Sequence, residues 1–123
     1  MSLILWVEGQ KGEGQPFIAA LRKKGYQVEV VSTGAEAANR IGLQHPDLVV
    51  INSASLRSSG KRICSNLRKK STRLPIMVIV TDDLSTANDE HATVTIRLPF
   101  TPRKLLNWIT PLMPWNEGNI LQS

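Results

Sequence analysis

Asp47-Leu48-Val49-Val50-Ile51-Asn52 is the stretch that decides the fold. Four branched apolar residues run without a break between two polar ends. The run is too short for a buried helix and is rich in side chains that favour extended backbone. A strand that is apolar on both faces needs cover on each side, which is the environment of a central strand in a parallel sheet. Pro46-Asp47 leads into it, and Asn52 closes it with a neutral amide.

Outward from this strand, the same kind of run recurs at Ile4-Leu5-Trp6-Val7, Val28-Glu29-Val30-Val31, Ile76-Met77-Val78-Ile79-Val80 and Val94-Thr95-Ile96. Segments of helical period lie between them. Pro16 suits the first residue of a helix running to Lys24, with Phe17, Ala20 and Leu21 inward and Gly25 ending it. Thr33-Gly34-Ala35-Glu36 matches a capping box and opens a helix that buries Ala37 and Ile41. A third helix follows Gly60, with Ile63 and Leu67 inward. The last begins at Thr101-Pro102 and carries Leu105, Leu106, Ile109 and Leu112. Between Thr81 and Val94 the chain is polar, and a loop or ragged turn is expected in place of a fourth helix. The pattern predicts an α/β fold: a doubly wound, five-stranded parallel sheet. The expected domain spans residues 3–113, with 114–123 as a tail or linker.

Composition bounds the function classes. A chain of 123 residues with 41% hydrophobic and 20% charged residues reads as one soluble domain. No apolar run approaches the ~20 residues that span a bilayer, so no membrane role is expected. Met1 to Trp6 is apolar but has no basic leader and meets Glu8 at once, unlike a signal peptide. One cysteine, Cys64, excludes an internal disulfide and a cysteine-built zinc site. A cytoplasmic protein is the default. The balance of 15 Lys+Arg against 10 Asp+Glu gives a net charge of +5, a surface that attracts acidic partners.

Taken together, an acid after the first strand, Pro46 to Asn52 on the third, Thr81 ending the fourth, and Leu98-Pro99-Phe100-Thr101-Pro102 after the fifth resemble the response-regulator receiver domain. Leu56 and Gly60, four and eight residues after Asn52, agree in register. The resemblance implies the flavodoxin-like (β/α)5 fold over residues 3 to about 113, with a shortened fourth helix. In active members two acids after the first strand and an aspartate on the third hold magnesium. A Thr or Ser and a Lys then bind the phosphoryl oxygens. Such chemistry is mainly positioning and charge neutralisation.

Mapped residue by residue, that implied site is depleted. Glu8 keeps the first acid in lengthened form, Gly9 replaces the second, Asn52 replaces the nucleophile, Thr81 remains, and Leu98 replaces the lysine. An amide has a delocalised nitrogen lone pair and no charge for a metal, so Asn52 cannot act as a phosphoacceptor. One glutamate beside an amide is a poor magnesium site. No catalytic residue, metal or cofactor is therefore expected, and an enzyme is the least favoured class. Thr95 stands where the family carries a switching aromatic on its fifth strand, so that relay is in doubt too. Glu8 is expected to hydrogen-bond a neighbouring loop, and Asn52 to cap loop amides or to face a small ligand in the vacated pocket.

Lys61, Arg62, Arg68, Lys69, Lys70 and Arg73 gather positive charge around the third helix, and Arg22-Lys23-Lys24 form a second group. Solvated helix faces and an acidic-partner surface both account for them. No tryptophan lies within either cluster, whereas nucleic-acid surfaces usually interleave aromatics. Cys64 reads as a packing residue, His45 and His91 as loop residues, and Trp108 as a partly exposed side chain of the last helix. The sequence predicts a degenerate receiver: a phosphorylation-independent interaction module of a two-component system, bound to a protein partner or an attached effector. A homodimer, a ligand-switched pocket and a regulatory role beside a DNA-binding domain stay open.

Overall fold

Five strands form one parallel sheet in the order β2-β1-β3-β4-β5 in a computed structural model that describes residues 2–9, 14–55, 60–81 and 91–113. They are β1 (Leu3–Val7), β2 (Gln27–Val31), β3 (Leu48–Asn52), β4 (Ile76–Val80) and β5 (Val94–Arg97). β1, β3 and β4 are buried along their whole length, as their unbroken apolar runs require. β2 and β5 are the edges and mix buried with exposed positions.

Alternation along each strand sorts the core into two layers. Leu5, Val7, Val49, Ile51, Ile76 and Val78 face one way, under α2 (Gly34–Gln44) and α3 (Gly60–Lys70). Ile4, Trp6, Leu48, Val50, Met77 and Ile79 face the other, under α1 (Gln15–Lys23) and α4 (Pro102–Ile109). Single 3-10 turns follow β3 (Ser53–Ser55) and α4 (Thr110–Leu112). The expected fourth-helix segment, residues 82–90, and the tail 114–123 lie outside the described residues.

Local chemistry sets the helix ends. Pro16 occupies the first turn of α1, and Gly25 beyond its end has φ 105°, a conformation that needs no Cβ. In α1 the fully buried positions are Ile18 and Leu21, with Phe17 and Ala20 only partly covered, so the inward face is turned from the expected one by about one residue. The Thr33 hydroxyl accepts from the Glu36 N–H, which caps α2 at a gain of about 1 kcal/mol. The return half of the expected capping box is missing, because the Glu36 carboxylate accepts from Ser32 Oγ. α2 buries Ala37 and Ile41, and α3 buries Ile63, Cys64 and Leu67. Thr101 caps α4 through the Lys104 N–H, and Leu105 and Ile109 are its buried pair. His45 ends α2 with φ 50°, and His91 lies in a turn before β5.

A row of aromatic rings crosses the α1–α4 layer. Trp6 stacks on Phe17 with ring centroids 6.4 Å apart, Phe17 lies 5.0 Å from Phe100, and Phe100 meets Trp108 edge-on at 5.3 Å. Trp108 is thus half-buried against Phe100, a packing role.

Candidate functional site

The strand order reverses direction between β1 and β3, and an open α/β sheet has its crevice outside the carboxyl ends of such strands. Glu8 and Asn52 stand there. Val7 pairs with Ile51, so Glu8 and Asn52 are the next neighbours in register and share a face of the sheet. Glu8 extends β1, its N–H donating to the Val31 carbonyl at 2.9 Å. Trp6, two residues earlier, must point the same way.

That parity places three polar groups together. The Trp6 indole N–H donates to Glu8 Oε1 at 3.1 Å, and Asn52 Nδ2 donates to the same oxygen at 2.9 Å. Glu8 is 2% exposed and Asn52 3%, so this is a buried polar cluster in which neutral donors meet one carboxyl oxygen. The N-terminus of α1 lies over it. A Cβ on Gly14 would overlap Glu8 Oε1 and stand 2.9 Å from Trp6 Cζ2, so only glycine permits this approach. Glu8 was expected to bond a neighbouring loop, and Asn52 to cap loop amides or to face a small ligand. Their side chains instead bind each other, because adjacent strands in register bring them into contact.

The surrounding loops are tied backbone to side chain. The Gly9 N–H donates to Ser55 Oγ at 3.0 Å, and that hydroxyl donates to the Asn52 carbonyl at 3.0 Å. Thr81, just past β4, is exposed. Leu98, just past β5, is half-buried and packs with the α1–α4 core, its N–H donating to the Val80 carbonyl at 2.9 Å. All five expected positions lie at the carboxyl ends of the strands, but only Glu8 and Asn52 join side chain to side chain among the described residues. Asn52 Oδ1 is buried without a hydrogen-bond partner among the described residues.

This donor set does not fit magnesium. Among the described residues the site holds one carboxylate, Glu8; an N–H stands against its Oε1, and Gly9 contributes no side chain. No group of three or more His, Cys, Asp or Glu that could hold a metal ion occurs among the described residues.

Of the basic group, Lys61, Arg62, Lys69, Lys70 and Arg73 are exposed. Arg68 differs. Its guanidinium donates to the carbonyls of His91 (2.7 and 2.9 Å), Leu74 (2.6 Å), Thr72 (3.2 Å) and Ser71 (3.4 Å), which fastens the turn after α3 to the start of β5. Sequence reasoning missed this role, as it missed Trp6, Gly14 and Ser55. The i, i+2 parity of Trp6 and Glu8 was the signal available for Trp6. Nothing local marks the other three.

Residues 4–110 match the family described as "Response regulator receiver domain". The chain belongs to this family, the receiver domain of two-component signalling. It is 28% identical over 114 residues to the response regulator MprA of Mycobacterium leprae (strain TN), a match covering 89% of this chain and 50% of that protein. It is 32% identical over 80 residues to MprA of Mycobacterium sp. (strain KMS), covering 65% and 35%. The chain thus spans half or less of the length of these curated relatives. Among solved structures, it superposes on the chemotaxis response regulator CheY4 of Vibrio cholerae with a TM-score of 0.76 at 22% identity, covering 92% of this chain and 99% of that one. It also superposes on TrrA of Thermotoga maritima, solved in complex with Mg2+-BeF, with a TM-score of 0.79 at 22% identity over 92% and 100%. At these identities the structural likeness speaks for the fold alone. No helix among the described residues is long and apolar enough to cross a membrane.

Proposed function

We propose that this chain is a degenerate receiver, a cytoplasmic, non-enzymatic module that regulates through protein contacts and without phosphorylation. The observation that carries this reading is the bond from Asn52 Nδ2 to Glu8 Oε1. An amide hydrogen stands where a metal would have to approach the acid, and the residue at the nucleophile's position has no carboxylate to phosphorylate. With Leu98 packed among apolar side chains, position 98 supplies no cation to neutralise a phosphoryl group.

Half of the M. leprae relative lies outside the matched region. That proportion favours regulation of a covalently attached effector, with residues 3–113 as the receiver and 114–123 as the tail towards it. Incubation with magnesium and acetyl phosphate, followed by intact-mass measurement, tests the proposal. The expected result is an unchanged mass. A stable adduct of phosphoryl mass on the native chain would overturn it.

A further inference from the structure

The amino-terminal end of the sheet, opposite Glu8, carries a groove that the receiver site does not use. We infer that this groove is a docking site for an acidic protein segment bearing an aliphatic side chain. It lies where the C-terminal ends of α2 and α3 meet the chain entering β3 and β4. Ala38, Ile41, Leu74 and Pro75 form its apolar lining, and Lys70 and Arg73 line it as cations.

Charge selects the partner. Residues 60–74 contain no acid, and α3 turns Lys61, Arg62, Lys69 and Lys70 to solvent. Among the described residues the one ion pair is Arg40 with Glu29, on other elements, so Lys70 and Arg73 have no salt-bridge partner there. The acid that lines the groove, Asp47, already accepts the Leu3 N–H through Oδ2 at 2.9 Å. Arg68 is spent on carbonyls, which leaves the remaining cations as surface charge with no fold-holding hydrogen bond among those described.

The lining separates a peptide from a nucleic acid. A phosphodiester backbone needs the cations but has no use for an aliphatic floor, and the groove's lining holds no Phe, Tyr or Trp, its one ring being the His45 imidazole. An acidic segment with a leucine-like side chain uses both, with an apolar centre and a charged rim. This inference is independent of the reading of the Glu8 site, because the two occupy opposite ends of the strands.

A fluorescein-labelled peptide of alternating Glu and Leu, followed by anisotropy on the native chain, tests it. The comparison probes are the same peptide with Ser for Leu, and a labelled DNA duplex. Lys70→Glu with Arg73→Glu should weaken Glu/Leu binding roughly tenfold, whereas Lys23→Glu with Lys24→Glu on α1 should leave it within about twofold. Gly42→Trp plugs the groove without changing charge; a Cβ there meets nothing within 4 Å, so the helix tolerates it. That variant should weaken binding by a similar factor, with an unchanged melting temperature confirming the fold. Stronger binding by the Glu/Leu peptide than by either comparison probe, lost in both groove variants, supports the inference. No binding, equal binding of the Ser peptide or the duplex, equal loss in the α1 variant, or full binding by Gly42→Trp overturns it.

Discussion

Asn52 donates its amide hydrogen to Glu8 Oε1 across 2.9 Å, so the residue at the nucleophile's place has become a hydrogen-bond partner of the acid beside it. The two side chains are buried together, with the Trp6 indole completing the contact. Their relationship determines what a simple reversion would do.

Asn52→Asp should not restore phosphorylation. The new carboxylate would still lack a second acid at position 9 and a cation at position 98. Intact mass after treatment with magnesium and acetyl phosphate should be unchanged. Efficient modification of this single variant would show that the losses at Gly9 and Leu98 matter less than argued.

The same substitution should destabilise the fold. It replaces a donor by a second carboxylate against Glu8 Oε1, a change expected to cost about 3 kcal/mol at neutral pH. Denaturant melts of variant and native protein at neutral pH measure the loss, and an unchanged midpoint would exclude it.

Gly14→Ala tests the closure of α1 over the acid. The added methyl would overlap Glu8 Oε1 and crowd Trp6 Cζ2 at 2.9 Å. A flexible side-chain end usually yields cheaply, but this oxygen is held by two donors. A loss of about 2 kcal/mol in a denaturant melt is expected. Glycine at position 25 gives the contrast, since its requirement is a positive φ and its Cβ would meet open space.

Arg68→Met should cost about 3 kcal/mol, because carbonyls of four residues lose a charged donor. Lys69→Met, one position along and exposed, should change stability by less than about 0.5 kcal/mol. Equal effects in thermal melts would return Arg68 to the class of surface charges.

Much of this was legible in the chain because the strands carry unambiguous apolar runs. Leu48 to Ile51 read as a fully covered strand, and its neighbours on both sides are covered strands. The last helix was legible for the same reason, from the spacing of Leu105 and Ile109. α1 was read less well: Phe17 outweighed Ile18 as an inward residue, but its ring spreads sideways onto Trp6 and Phe100 and leaves the depth of the core to isoleucine. At the site, the changed residues were visible singly, yet the bond between Glu8 and Asn52 was not. It depends on the register of two strands separated by 44 positions, which no local pattern encodes. Arg68 was hidden for a related reason, since its partners include the carbonyl of His91, 23 residues further on.

The row of rings from Trp6 to Trp108 has an optical consequence. One indole is wholly shielded and bonded to the carboxylate of Glu8, while the other is half-covered at the surface of α4. With Trp115 replaced by phenylalanine, native fluorescence would come from these two alone. The protein carries its own pair of dyes, one reading the buried acid and one reading the helix against which it is packed, joined by two phenylalanines.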